Sequence, residues 1–210
     1  MNAIQHNRYT EAWSAIGREL PRPRSILCVS AHWYTRGSAL TINTAPETIH
    51  DFGGFPRELY RVQYPAPGDP ELARRVQKLL SPVRAELSSE WGLDHGAWSV
   101  LQHVYPNADV PVVQLSIDAA QPAPFHYEVG RRLEELRQEG VLILGSGNVV
   151  HNLRAYDQTG TADDGCLHES WPLLSWCFQL RPGSRLGCDS VVAVGRLERG
   201  MLVHVQAARR

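Results

Sequence analysis

The feature that most constrains the fold of this chain is an apolar run that leads directly to a histidine. Residues 25–29 read Ser-Ile-Leu-Cys-Val, a pattern typical of a strand buried on both faces of a parallel sheet. Ser-Ala-His-Trp follows and puts His32 where we expect the strand to end. In open α/β sheets, ligands bind at the carboxyl ends of the strands. We therefore predict that His32 lies in a binding site.

Helical and strand patterns alternate over the first 150 residues. Amphipathic spacing predicts helices at 8–20, 69–80, 98–104 and 124–139. Apolar runs predict further strands at 39–43, 83–87, 110–117 and 141–144, and 191–194 and 201–205 are weaker candidates. This alternation predicts the α/β class, as a single domain with a central, mostly parallel or mixed sheet flanked by helices.

Composition excludes several classes of protein. The 210 residues suffice for one domain with a sizeable core, and the formal net charge of −1 gives no attraction to nucleic acid or to an anionic membrane. There is no apolar run long enough to span a bilayer, and residues 1–6 do not resemble a signal peptide. The four cysteines form no C-x-x-C pair, so we expect a reducing, cytoplasmic setting with Cys28 as a buried small hydrophobe.

Four of the nine histidines lie in contexts that suit chemistry. Imidazole is a common metal ligand and the usual acid or base near neutral pH. His151 follows the strand at 141–144 through a glycine-containing turn, so it can share a pocket with His32. His95 and His50 lie in glycine-containing loops, next to an aspartate. Taken alone, each is as well explained as a hydrogen-bonded or solvated histidine.

Other motifs are incomplete. Gly145-x-Gly147 lacks the third glycine of the dinucleotide fingerprint, and there is no G-x-S-x-G elbow of a serine hydrolase. We interpret the remaining histidines as surface or core residues: His6, His103, His126, His168 and His204.

Six short blocks, in this order, resemble the class III extradiol ring-cleavage dioxygenases (the subunit-B-like superfamily), and in particular their 4,5-DOPA dioxygenase-like branch. The blocks are Ser30-Ala31-His32-Trp33, the stretch 48–56 (TIHDFGGFP), 64–68 (YPAPG), Asp94-His95-Gly96, 111–116 (PVVQLS) and 146–153 (SGNVVHNL). They cover about residues 1–157.

The resemblance implies an oxidoreductase with one non-haem metal, Fe(II) or Zn(II), that cleaves a small catecholic ring next to its diol with O2. It implies that His32 is a metal ligand. It also implies that His151 is an acid/base close to the metal or a further ligand, and that His95 lines the substrate pocket. Two open coordination positions for diol and O2, and a histidine that takes a catechol proton, agree with this chemistry. The role of His50 and the oligomeric state stay open.

Two segments of the family pattern have no match in this chain. The family opens with a strand ending in His-Gly-Ser-Pro and closes with a Pro-x-x-Glu-His-like segment, each with a ligand histidine. We therefore expect a dioxygenase-like domain at 1–157 that lacks its first strand, and a divergent tail at 158–210. A late start codon and a frameshift near residue 157 would explain this. We expect weak iron binding and little activity. An inactive remnant, a zinc-binding protein and a metal-dependent hydrolase are the alternatives.

Overall fold

The computed structural model describes residues 2–148 and a strand at 201–206. The helices are α1 (Arg8–Glu19), α2 (Pro70–Leu80), α3 (His95–Val104) and α4 (Ala123–Arg132). The strands are β1 (Ser25–Thr35), β2 (Ser38–Thr41), β3 (Ala85–Ser88), β4 (Val112–Asp118), β5 (Val141–Asn148) and β6 (Met201–Gln206).

The strands form one six-stranded sheet in the order β3-β2-β4-β1-β5-β6. β1 pairs in parallel with β4 on one side and with β5 on the other, and β5 pairs in parallel with β6. β2 is antiparallel to β4 and parallel to β3. The prediction of an α/β fold with a mostly parallel or mixed sheet is confirmed.

β1 is a central strand because its apolar residues are covered on both faces. Ile26, Leu27 and Cys28 are fully buried, and Cys28 belongs to the hydrophobic core, as predicted. The prediction that the strand ends at His32 is wrong, since β1 continues to Thr35. Its register with β4 shifts between Val29 and Tyr34. An irregularity of this kind lets the backbone resume pairing while it redirects the side chains, so His32 lies inside the irregular part of a longer strand.

The core has one part on each face of the sheet. One part includes Trp13 of α1 and Trp98 of α3, and the other includes Val76 of α2 and Val129 of α4. Burial of such side chains contributes on the order of 1.5–3 kcal/mol each. Both layers hold the sheet between helices, which fixes the ends of its strands for a site.

The start of α2 agrees with its sequence prediction, whereas the length of α4 does not. The Asp69 side chain caps α2 by accepting a hydrogen bond from the Leu72 N–H, as its Asp-Pro start predicts. The helix predicted over 124–139 is shorter than expected, because α4 ends at Arg132 and a 3₁₀ turn follows at Glu134–Arg137. Leu136 is nonetheless buried in the same core. Apolar spacing of three or four residues suits both helix types, so it does not separate them.

Membrane-spanning helices are absent from the part of the chain that the structure describes: none of its helices combines the length and the apolar character that a bilayer span requires.

Candidate active site

Three side chains from distant parts of the chain meet beside β1. They are His32 from the irregular part of β1, Asp51 from the long loop after β2, and His95 from the first turn of α3. One ligand atom from each lies within 4.8 Å of the other two. The cluster therefore brings together two imidazoles and a carboxylate, which are metal-binding and proton-transferring groups.

The first turn of α3 is held in place from the sheet. Asp94 is fully buried and caps the helix by accepting a hydrogen bond from the Ala97 N–H at 3.0 Å. The Gln114 side chain on β4 accepts from the Asp94 N–H at 3.0 Å and donates through Nε2 to Asp94 Oδ2 at 2.8 Å. This pair of hydrogen bonds fixes the backbone that carries His95.

Backbone hydrogen bonds anchor the loop that carries Asp51 to the segment before α3. The Ile49 N–H donates to the Leu93 carbonyl and the Leu93 N–H donates to the Glu47 carbonyl, both at 2.7 Å. The Trp98 indole N–H also donates to the Ile49 carbonyl, at 2.8 Å. Asp51 is therefore placed next to His95 by its flanking backbone, although 44 residues separate the two.

The Asp51 carboxylate faces both histidines. Its Oδ1 accepts a hydrogen bond from the His95 backbone N–H at 2.8 Å and lies 2.9 Å from His95 Nδ1, and its Oδ2 lies 3.7 Å from His32 Nδ1. Burial raises the pKa of Asp51, but the contacts with the side chain and backbone of His95 lower it by more, so the net pKa lies below its ordinary value. The carboxylate is therefore ionised at neutral pH and supplies a negative charge between the two rings.

The two histidine rings approach each other closely because the residue after His95 is glycine. Their centroids are 3.9 Å apart, with an angle of 49° between the planes. A Cβ added at Gly96 would lie 2.3 Å from Ser30 Oγ and 2.9 Å from His32 Cδ2. From the neighbouring strand β5, Ser146 Oγ donates to the Gly96 carbonyl at 2.6 Å. The first turn of α3 therefore lies directly against β1 and β5.

An aromatic wall, formed by Phe52, Phe55 and Tyr60, borders the cluster. The edge of Phe52 contacts His95 at a centroid distance of 5.2 Å, and Phe55 and Tyr60 lie within 5.5 Å of Phe52. Phe55 and Tyr60 are 41% and 38% exposed. His50 packs behind Phe52, and its Nε2 lies 3.0 Å from the Val62 carbonyl oxygen. The wall gives the cluster an apolar side that suits a flat aromatic ligand.

The residues of the cluster fit a divalent metal in their chemistry. Two histidines and one carboxylate are the donor types of non-haem iron sites, and the same types bind zinc. His95 Nδ1 is buried and has no hydrogen bond within the described part of the chain, since its short contact with Asp51 is not aligned for one. An imidazole held beside a carboxylate in this way is suited to contact a bound group through its other ring nitrogen, Nε2.

The structure brings His32 and His95 together, whereas His151, which the sequence led us to expect in one pocket with His32, lies outside the described residues. Sequence reasoning missed Asp51 as a member of the cluster. The signal available was an acid next to His50 in a glycine-rich loop, which gives no information about the tertiary neighbour. Among the histidines interpreted as surface or core residues, His6 is exposed and His126 is buried, as expected.

Comparisons with known proteins give one consistent result. Residues 3–173 match the family described as "Catalytic LigB subunit of aromatic ring-opening dioxygenase". The chain is 56% identical over 155 residues to a protein of Escherichia coli (strain K12) named "4,5-DOPA dioxygenase extradiol", covering 73% of this chain and 57% of that protein. It is 41% identical over 150 residues to a protein of the same name from Mirabilis jalapa, covering 70% of this chain and 56% of that protein.

A solved structure is similar as well. The crystal structure of an uncharacterized protein from Escherichia coli K12 matches with a TM-score of 0.64 and 46% sequence identity, covering 76% of this chain and 60% of that one. The chain thus spans a little over half the length of the curated relatives above.

Proposed function

The chain belongs to the family of the catalytic LigB subunit of aromatic ring-opening dioxygenases, and from this premise we propose that it is an extradiol dioxygenase domain that opens catecholic rings with O2. The family predicted from the six sequence blocks is confirmed by the family match and by the identity to the curated relatives. Substrate, metal and residue roles are part of the proposal.

The observation that carries the proposal is the meeting of His32, Asp51 and His95 beside an aromatic wall. Polar groups that can bind a metal or move a proton lie on one side, and an apolar surface for a planar ring lies on the other. A small-molecule site needs this combination of a few convergent polar groups and apolar surroundings.

We assign roles to the residues as follows. His32 is a ligand of the metal, Fe(II) or Zn(II), and His151 is a second ligand or the acid/base. When bound, the metal would supply positive charge that favours ionisation of the catechol diol, and coordination positions for diol and O2. His95 lines the substrate pocket and is placed to hydrogen-bond a substrate hydroxyl. Phe52 packs against His95 and limits the access of water to that ring.

The test is oxygen consumption by the full chain. The protein is loaded with Fe(II) without air, mixed with a catechol in air-saturated buffer, and followed with an oxygen electrode and by the absorbance of the ring-opened product. We expect low O2 uptake, in keeping with the weak iron binding predicted from the sequence, in step with product, with loss of both in His32→Ala and retention in His50→Gln. Product without O2 uptake would contradict the proposal and indicate a hydrolase.

A second candidate, a zinc-binding protein on the same scaffold, is supported by the donor types, which suit zinc as well as iron. It predicts stoichiometric Zn(II) binding, abolished in His32→Ala, with no O2 uptake after Fe(II) loading. The division of the chain into a catalytic unit at 1–157 and a separate tail, and a cytoplasmic location, stay predictions.

A further inference from the structure

We propose that Asp51 is a positioning residue that orients the rings of His32 and His95 together through a single carboxylate. The inference rests on the proposed function, because it assigns Asp51 a task at the same site. In this proposal, Asp51 lies beside the metal-binding imidazole and is not itself a metal ligand.

The contact with His95 is the stronger of the two. Asp51 Oδ1 accepts a hydrogen bond from the backbone N–H of His95 and lies 2.9 Å from the Nδ1 of the same residue. One oxygen thus faces both the backbone and the ring of His95. A negative charge at this distance favours a proton on Nδ1 over a lone pair there, so Nε2 is left as the acceptor nitrogen.

The contact with His32 uses the other oxygen. Asp51 Oδ2 lies 3.7 Å from His32 Nδ1, which is beyond a hydrogen bond but within the range where charge still acts. In metal sites, the ring nitrogen that does not bind the metal usually faces a carboxylate or carbonyl, which fixes the tautomer and the ring orientation. His32 Nδ1 faces Asp51, so we assign metal binding to Nε2 of His32.

Asp51 is suited to this task because its surroundings hold it in place and keep it charged. Its side chain is only 15% exposed, and backbone hydrogen bonds anchor its loop to the segment that leads into α3. The buried carboxylate of Asp94 lies next to the cluster, but the Ala97 N–H and the Gln114 amide occupy its two oxygens. Within the described residues, Asp51 is therefore the carboxylate directed at both rings.

The first experiment measures the ring tautomers in the metal-free full chain. Long-range ¹H–¹⁵N spectra of histidine-labelled protein, recorded at a pH where the rings are neutral, report which nitrogen carries the proton. We expect Nδ1–H for His32 and His95 in the wild type, and a shift of both towards Nε2–H in Asp51→Asn and Asp51→Ala. Asp51→Asn keeps an acceptor for the His95 backbone N–H, so it tests charge with little change in shape.

Two control variants separate positioning from stability. Asp109→Asn removes an exposed carboxylate that pairs with Arg22, and we expect wild-type spectra and stability. Val76→Ala removes buried apolar atoms from the core on the other face of the sheet, so we expect a lower melting temperature with unchanged ring signals. Unchanged signals for both histidines in Asp51→Ala, or a wild type with both rings as Nε2–H, would overturn the proposal.

The second experiment measures Zn(II) affinity by competition with a chromogenic chelator. Loss of a carboxylate that orients a ligand imidazole typically costs about 10–100-fold in metal affinity, and we expect a loss in this range for Asp51→Asn and none for Asp109→Asn. Complete loss of binding with unchanged ring signals would make Asp51 a ligand and overturn the positioning role. Since neither readout involves O2 or turnover, failure of the proposed dioxygenase activity leaves this test intact.

Discussion

Gly96→Ala is the substitution that most directly tests the packing of the site. Gly96 follows His95 in the first turn of α3 and is buried. The added Cβ would lie 2.3 Å from Ser30 Oγ, 2.9 Å from His32 Cδ2 and 3.2 Å from Asp94 Oδ1. To restore the 3.0 Å that real Cβ atoms keep, Ser30 Oγ must move by about 0.7 Å. The fully buried Ser30 has little room, so α3 and the His32 ring must separate.

Two opposing effects determine how far Gly96→Ala lowers the free energy of unfolding. Overpacking of a closely packed interior costs about 1–3 kcal/mol. Replacing glycine by alanine inside a helix returns up to about 1 kcal/mol, and less in the first turn. We expect a net loss of about 1–2 kcal/mol in the free energy of unfolding, which corresponds to a melting temperature about 2–8 °C lower for a chain of this size. A displaced His32 ring should also weaken Zn(II) binding by about 10-fold or more.

The assay combines thermal unfolding with Zn(II) titration, and Gly53→Ala is the matched control. Gly53 lies in the loop of Asp51, and a Cβ added there meets no atom within 4 Å, so we expect wild-type stability and affinity. Removing the closest contact in the double variant Ser30→Gly/Gly96→Ala should recover part of the affinity, as coupled neighbours do. Wild-type stability and affinity in Gly96→Ala would refute the claim that close packing holds the two histidines in place.

Three further predictions concern single side chains. Gln114→Leu removes the partners of Asp94 Oδ2 and of the Asp94 backbone N–H, both buried, while Oδ1 keeps the Ala97 N–H, so the free energy of unfolding measured with urea should fall by about 2–4 kcal/mol. Burial holds the pKa of His126 below its ordinary value of 6.5. The neutral ring therefore costs no stability above pH 6.5, and the free energy of unfolding falls as the pH drops from 6.5 towards the lower folded pKa. In urea titrations, His126→Gln should show a smaller decrease of the free energy of unfolding over that pH range. Because His50 contacts the Val62 carbonyl rather than the cluster, His50→Gln should leave the Zn(II) affinity unchanged.

The fold was predictable where burial alone determines the element. Residues 25–29 have to be a central strand because an uninterrupted apolar run is stable only when both faces are covered, and Ile26 is fully buried between β4 and β5. The continuation of β1 past His32 was not predictable, because Tyr34 and Thr35 carry no apolar pattern and pair only after a register shift. That pairing depends on the position of β4, which lies about 80 residues further along the chain.

The site was predictable in part, for a different reason. His32 and His95 could be proposed from the sequence because each belongs to a short motif whose members are adjacent in sequence. Asp51 belongs to such a motif too, but its task depends on residues 44 positions away. The backbone bridge between Thr48 and Leu93 brings the two segments together. Pairing between backbone groups does not require particular side chains, so the sequence pattern does not reveal it. Sequence reasoning therefore identifies donor types and misses the partner that orients them.

The placement of the two histidines on different kinds of element has a consequence for how the site keeps its geometry. His32 lies on the inner strand β1, whereas His95 and Asp51 lie on a helix start and a loop that backbone hydrogen bonds connect. Any change that shifts α3 relative to β1 therefore moves His95 and Asp51 together. The distance between these two residues is kept, and their distance to His32 changes. The contact between Asp51 Oδ2 and His32 Nδ1, at 3.7 Å, is thus the variable distance of the cluster. Substitutions in the α3–β1 contact should weaken metal binding through His32 while the pairing of Asp51 with His95 is retained.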